Sequence, residues 1–304
     1  MEEELDEEVI ENYKKAGSIA ARALDFGRRL VKEGESLVFV MDKIEEKIKS
    51  LGAEIAFPAQ ISLNNIAAHY CSVDDKETFK FGDVVKIDIG THINGYIGDC
   101  ALTVYIGDDK NIKNLLESAR SALENALKVV KPGVRISEIG KIIQKTISSY
   151  GFYPVRNLSG HGLERFNLHA EPSIPNYDTN NNLILKKDSV IAIEPFSSTG
   201  VGIVGDSGNA TVYSLIKSKP VRNNTARKIL REIESYNGLP FTTRWFYKKY
   251  PKILVDNAIR EFLNNEMIYE YKPLSDIGKG FVAQFEHTVI VRESKNIITT
   301  LLEE

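Results

Sequence analysis

The chain has 304 residues, 42% of them hydrophobic and 27% charged, with a net charge of -3. That profile fits a globular protein of one large or two ordinary domains, long enough to bury a core without staples. The nearly balanced charge excludes a general electrostatic pull toward nucleic acid or anionic membrane, and two cysteines, Cys71 and Cys100, are too few for a disulfide framework. No cationic, apolar leader and no apolar run of membrane length stands out, so the expected location is cytoplasmic, in a reducing compartment.

The acidic cluster at 2–8 reads as a solvated helix start. Val9, Tyr13, Ala16, Ala20 and Leu24 then recur at helical spacing, and Gly34 ends the run. Ser36 is placed to cap a second helix carrying Val38, Met41, Ile44 and Ile48, with Gly52 as its stop. Strand patterning follows at 83–106. A second pair of helices at 111–150 is divided by Lys131-Pro132-Gly133, and a second strand-rich block spans 155–213. A helix pair followed by strands, twice over, predicts two similar halves facing each other. From 223 to 270 the pattern is helical again, with Ile229, Leu230 and Ile233 on one face, a second helix starting at Thr242 or Thr243, and a third near 253–263. Strand pattern returns at 280–291. The helical piece is therefore read as an insertion into a mixed α+β domain.

The carboxylates are more informative. Asp88 lies in an apolar strand at 84–89 and Asp99 in the next strand, and Asn94-Gly95 between them is a strong two-residue hairpin signal. Counting outward from that turn sets Ile93 against Tyr96 and Gly90 against Asp99. Asp88 and Asp99 then become diagonal neighbours on one face, about 7–8 Å apart at the backbone. Gly90 is expected to leave the space between them open. Two like charges on an apolar face repel unless a cation compensates, although two solvated acids at a hairpin rim would satisfy the spacing as well.

Further candidates favour the cation. His161 sits between Gly160 and Gly162, Glu194 ends the apolar strand at 190–193 before Pro195, and Glu286 lies within an apolar strand at 281–291, sharing a face with Gln284 and Thr288. A carboxylate inside an apolar strand is costly unless paired. Four carboxylates and one imidazole make an oxygen-rich donor set suited to Mn, Fe, Co or Zn, and four negative charges balance two divalent ions. Paired ions of that kind activate water and clamp a tetrahedral intermediate. Of the other histidines, His92 reads as solvated at the hairpin tip and His287 as a satisfied core residue. Spacing alone leaves His69 and His169 undecided.

Taken in order, five segments resemble one family. Phe57-Pro58 with Ser62-Leu63-Asn64-Asn65-Ile66-Ala67-Ala68-His69-Tyr70 is similar to the entry motif of type 2 methionine aminopeptidases. Asp88-Ile89-Gly90-Thr91-His92 with Asp99-Cys100-Ala101, Gly160-His161-Gly162 with Leu168-His169, Ile193-Glu194-Pro195-Phe196, and Gln284-Phe285-Glu286-His287-Thr288 resemble the remaining four. The resemblance implies a pita-bread fold with pseudo-twofold halves, in which residues 1–217 and 273–304 together form the catalytic domain and 218–272 is a helical insertion. It implies that Asp99 and Glu286 bridge two divalent metal ions, that Asp88 completes one and that His161 and Glu194 complete the other. Glu194 would also take the proton of the attacking water, His69 would contact the scissile amide, and His169 would donate to the carbonyl oxygen as it becomes anionic. Phe57, Leu168, Phe196, Tyr271 and Leu274 would wall a pocket for methionine, whose thioether packs well against aromatic rings. The implied partners are N-termini of nascent polypeptides, met at the ribosome or free, with no membrane or nucleic acid and a monomeric chain. The resemblance is to an archaeal-style minimal form, expected to lack the long charged extension of eukaryotic type 2 enzymes. Two alternatives remain: an Xaa-Pro aminopeptidase of the same fold, and a metal-free homologue that binds ribosomes or nucleic acid.

Overall fold

A computed structural model describes residues 5–302; residues 1–4, with part of the acidic cluster, lie outside the described residues. The chain runs α1 (Glu7–Leu30), α2 (Leu37–Ser50), β1 (Glu54–Leu63), β2 (Ile66–Ala68), β3 (Val84–Ile93), β4 (Tyr96–Tyr105), α3 (Lys110–Val129) and α4 (Ile136–Ser149). It continues through β5 (Tyr153–Pro154), β6 (Ser159–Glu164), β7 (Asn167–Pro175), β8 (Val190–Ile193), β9 (Phe196–Ser198), β10 (Val204–Asp206) and β11 (Val212–Leu215). Then come α5 (Asn224–Glu234), β12 (Phe241–Thr242), α6 (Thr243–Tyr247), α7 (Lys252–Asn264), β13 (Ile268–Tyr271), β14 (Leu274–Asp276), β15 (Val282–Gln284), β16 (His287–Ile290) and β17 (Ile297–Ile298).

Local chemistry sets the helix ends. Asp6, Ser36, Asp109, Asn223 and Thr242 each accept a hydrogen bond from a first-turn backbone N–H, worth about 1 kcal/mol apiece. The Ser36 cap is the one its sequence position predicts. In the first half α1 and α2 lie over an antiparallel sheet of order β1-β3-β4, and Ala20, Leu24, Met41, Ile44, Ile61, Ile87 and Ile89 fill the space between them. In the second half α3 and α4 lie over a five-stranded sheet of order β17-β16-β8-β6-β7, sealed by Leu115, Leu123, Ile139, Ile143, Ile191 and Val289. At about 1.5–3 kcal/mol for each fully buried aliphatic side chain, these two cores hold the helix pairs in place.

The stretch 218–272 has a third apolar cluster of its own, with Ile229, Ile233, Phe246, Val255 and Phe262 at its centre. It is tied to the rest by a sheet of order β12-β11-β13, whose middle strand precedes the helical segment. A buried ionic knot adds to the tie: Arg244 reaches Asp42 and Glu45 of α2, and the Trp245 indole N–H donates to Glu45 at 2.8 Å.

Two sequence expectations need correction. Residues 281–291 do not form one strand. β15 pairs with β9, β16 pairs with β8, and the chain changes sheets at Phe285-Glu286. The space at Gly90 is not open either, because a Cβ there would come within 2.2 Å of the Phe57 ring. Gly90 accommodates the aromatic wall of a pocket rather than a gap between carboxylates. β1, which carries Phe57, is a full ten-residue strand that the sequence reading did not register.

Candidate metal and peptide site

The β3–β4 hairpin has the register read from sequence. Asn94 and Gly95 both have positive φ, 54° and 90°, as the tight turn requires. Ile93 pairs with Tyr96, Gly90 with Asp99 and Asp88 with Ala101. Asp88 and Asp99 therefore share a face, and both line a cavity of about 200 Å³ at the meeting of the two halves.

Glu286 arrives in that cavity from the sheet crossover, held by three contacts with β4. Its N–H donates to the Ala101 carbonyl at 3.0 Å. On one side the Thr103 hydroxyl donates to the Gln284 carbonyl at 2.7 Å and accepts from the Gln284 N–H at 2.8 Å. On the other, the Thr288 hydroxyl donates to the Asp99 carbonyl at 2.8 Å and accepts from the Asp99 N–H at 2.9 Å. The two hydroxyls replace ladder hydrogen bonds where the strand breaks. Below them the buried Lys86 amine, its pKa pushed well down by desolvation, donates to the Asn64 carbonyl at 2.9 Å and the Val282 carbonyl at 3.0 Å, joining β3 to the start of β15.

His161 on β6 and Glu194, just after β8, close the other side. β6 is squeezed between its neighbours: a Cβ on Gly160 would meet the Ala192 carbonyl oxygen at 2.2 Å, and one on Gly162 the Glu171 carbonyl oxygen at 2.1 Å. His161 Nδ1 lies 3.1 Å from the Gly162 carbonyl, which fixes the proton there. Nε2 then presents a lone pair to Asp99 Oδ2 at 3.8 Å and Glu194 Oε1 at 3.9 Å. Those separations are too long for hydrogen bonds, and a lone pair facing two carboxylate oxygens is repulsive. Nitrogen and oxygen donors around one ion, each about 2.0–2.2 Å from it, stand about 3–4 Å apart. Asp99, His161 and Glu286 each offer a ligand atom within 4.8 Å of the others. Asp88 Oδ1 and Asp99 Oδ1 are buried and have no hydrogen-bond partner among the described residues. Orphaned acceptors of this kind fit a divalent cation.

Electrostatics agrees. Burial pushes the Asp88 carboxyl up to about 7. Burial and the neighbouring carboxylates raise Asp99, Glu194 and Glu286 well above the usual range. Burial lowers the imidazoles: His161 to about 3 and His69 to about 4, each helped by His169, with His169 itself lowered too. All three rings are therefore neutral at pH 7.

Without metal, these four carboxyls hold protons in the folded state where the unfolded chain has released them. Their contribution to stability is present in acid and is lost as pH rises through about 7 and beyond. The depressed histidines act in the opposite sense, but only below about pH 6.5, so the carboxyls dominate above it. The chelated protein should lose several degrees of melting temperature between about pH 6.5 and 8.5, and a saturating divalent ion should flatten the slope. Calorimetry at fixed ionic strength checks this; a chelated protein whose stability rises over the same range would contradict it.

The cavity is also lined by Phe57, Leu168, Phe196, Tyr271, His69 and His169. His69 and Tyr271 meet edge-on at 5.5 Å, and the His161 and His169 rings lie 4.8 Å apart. Leu274 is not among the lining residues. It pairs with Ala68 and packs in the apolar cluster that holds Phe196 and Ala67, beside the pocket wall. Gln60, Ala68, Asn157, Leu158, Ser159, Val212 and Pro240 line the cavity and were missed from sequence. Of these, Gln60 carried a signal, being the one polar side chain in the apolar run 55–61. His287, as expected, is turned away and hydrogen-bonds Thr300 at 2.8 Å. A second cavity, about 450 Å³, lies between α2, the hairpin tip and the helical segment. Its inner acids are already paired, Asp42 and Glu45 with Arg244 and Glu232 with Lys249.

An antiparallel α+β fold with a buried, carboxylate-rich cation site under an apolar pocket is the architecture of a metal-dependent hydrolase. The chain belongs to metallopeptidase family M24, whose model matches residues 11–293, and membership implies divalent metal binding. A methionine aminopeptidase of Archaeoglobus fulgidus is 44% identical, the match covering 97% of this chain and 100% of that protein. The crystal structure of a methionine aminopeptidase from Thermotoga maritima superposes with a TM-score of 0.72 at 27% identity, covering 100% of both chains. The prolidase from Pyrococcus furiosus shares the fold at a TM-score of 0.64 and 22% identity, covering 98% of this chain and 65% of that one. The fold is the pita-bread fold of this family.

Proposed function

We propose that this protein is a methionine aminopeptidase that removes the initiator methionine from polypeptides whose second residue is small. The observation that carries the chemistry is His161 Nε2 facing Asp99 Oδ2 and Glu194 Oε1 at 3.8 and 3.9 Å. Asp88, Asp99, His161, Glu194 and Glu286 would hold two divalent ions, with Asp99 and Glu286 shared. Ions bound there supply electrophilic polarisation of the scissile carbonyl and a water of lowered pKa. Glu194, positioned by the Gln284 side-chain amide donating to its Oε2 at 3.1 Å, takes the proton of the attacking water at a carboxylate oxygen. His169, a neutral ring at the cavity wall, donates to the carbonyl oxygen as negative charge grows there. His69 contacts the scissile amide from the opposite wall. Phe57, Leu168, Phe196 and Tyr271 receive the methionine side chain. The cavity is smaller than the ~300–1,000 Å³ of pockets that enclose a drug-sized ligand, which suits a single side chain.

Residues 218–272 act as an insertion whose Pro240 reaches the cavity. The protein works as a cytoplasmic monomer on nascent N-termini. No helix among the described residues is long and apolar enough to cross a membrane. Metal analysis together with cleavage of Met-Ala-Ser and Ala-Pro peptides tests the reading. Release of methionine from the first peptide, abolished by chelation and restored by metal, is expected. Preferential cleavage after an alanine before proline would reassign the protein to Xaa-Pro peptidases, and absence of bound metal would favour a binding role.

A further inference from the structure

We propose that Gln60 recognises the free α-amino group of the substrate, accepting a hydrogen bond from it at the side-chain carbonyl. The proposal rests on the aminopeptidase reading and adds a residue to it. Gln60 lies on β1 directly across from Asp88 on β3 and is 6% exposed. It lines the same cavity as the five proposed metal ligands. Its Oε1 is buried and has no hydrogen-bond partner among the described residues, like the Asp88 Oδ1 of its cross-strand neighbour.

A buried, unpaired amide oxygen costs about 1–3 kcal/mol, so its retention at a cavity wall calls for a ligand that brings a donor. The cavity is asymmetric. Of the orphaned acceptors near the site, Gln60 Oε1, Asp88 Oδ1 and Asp99 Oδ1 belong to cavity-lining residues of the sheet β1-β3-β4, whereas Gln284 Oε1 belongs to a residue of β15 that does not line the cavity and whose amide is already engaged with Glu194, and His69, His161 and His169 come from elsewhere in the chain. The carboxylate oxygens are accounted for by cations. A neutral amide oxygen adds no charge to balance one, and it stays an acceptor whatever the protonation of the acids around it. An exopeptidase substrate differs from an internal peptide by its terminal amine, which carries two or three N–H donors. The acceptor-rich wall is where that amine is best satisfied, with Gln60 and Asp88 adjacent. An amine held there fixes the substrate's first residue, and the side chain then projects toward Phe57, three residues along the same strand.

The contact can be isolated by deleting the amine from the ligand. Calorimetric titration of the Mn²⁺-loaded protein with L-methioninol and with its des-amino counterpart, 4-(methylthio)butan-1-ol, gives the preference for the amine. In Gln60→Leu that preference should fall about tenfold to a hundredfold, since a hydrogen bond to a charged or strongly polar donor is being removed. The affinity for the des-amino compound and the bound metal per chain should stay at the wild-type values. Gln60→Glu, which keeps an acceptor, should retain the preference. Gln60→Met, unbranched and of similar size, stands in if the leucine variant does not fold. An unchanged preference overturns the proposal. So does an equal loss for both ligands, or a fall in bound metal, either of which would show that the amide serves Asp88 rather than the substrate. Failure of the wild-type protein to bind methioninol or metal at all would instead remove the aminopeptidase reading beneath it.

Discussion

Glu286→Gln is expected to lower kcat/KM by about a thousandfold or more, with loss of at least one bound ion. Glu286 is 2% exposed, and burial with Asp99, Glu194 and Asp88 close by raises its carboxyl well above the usual range. That arrangement is tolerable only when a cation or a proton neutralises the cluster. Glutamine preserves the volume and leaves the backbone contact to Ala101 untouched, but it removes one of four charges that balance two divalent ions. A metal ion supplies several kcal/mol of transition-state stabilisation, and each 1.36 kcal/mol is tenfold in rate. The metal-free variant should be more stable than metal-free wild type at alkaline pH, because it carries one buried acid fewer. That gain separates loss of metal from loss of fold. Near-normal turnover with unaltered metal stoichiometry would dismiss the two-ion site.

His169→Ala should lower kcat about a hundredfold to a thousandfold while KM changes little. The ring reaches solvent on one side, and partial desolvation at the cleft lowers it further from an ordinary value already below 7, so it is neutral there and its N–H is a donor whose hydrogen bond strengthens as the carbonyl oxygen gains charge. Its position 4.8 Å from His161 places it at the cavity wall next to the proposed ligands without making it one of the carboxylate-facing rings. Bound metal should be unchanged, unlike in Glu286→Gln. A loss confined to KM would mean that His169 holds the ground-state peptide and contributes nothing specific to the transition state.

The legible parts of the fold were those decided locally. Asn94-Gly95 dictates its turn, and strict alternation then carries Asp88 and Asp99 to the same face, so the hairpin register followed from counting. The cap at Ser36 was legible for the same reason, whereas Thr242 and Thr243 stayed equivalent as helix starts until the structure showed Thr242 capping. Long-range decisions were not. β1 contains Pro58 and two register irregularities, which blur its alternation and hide Gln60. The break at Glu286 depends on the Thr103 and Thr288 hydroxyls, and nothing in 281–291 marks where the strand changes sheets. Gly90 reads from sequence as open space between two carboxylates, and only the tertiary fold shows that a ring from β1 fills it. Pro240 reaches the cavity from a segment that sequence treats as separate. The ligand types were readable because a carboxylate in an apolar strand has so few affordable explanations; the neutral wall residues lack that constraint.

The β3–β4 hairpin also has a bearing on which length changes the chain can absorb. Because side chains alternate, one residue inserted between Gly95 and Asp99 would turn Asp99 toward the α1–α2 core and deliver an apolar neighbour to the cavity. Two inserted residues would restore the face but displace the carboxylate along the strand by about 7 Å, beyond the reach of His161 and Glu286. The paired part of the hairpin between Asp88 and Asp99 thus behaves as a reading frame, in which a shift of the pairing moves the carboxylate off the site. Added length should be absorbed where no paired residue separates it from solvent, at the Asn94-Gly95 tip and in the connections that precede β3 and follow β4.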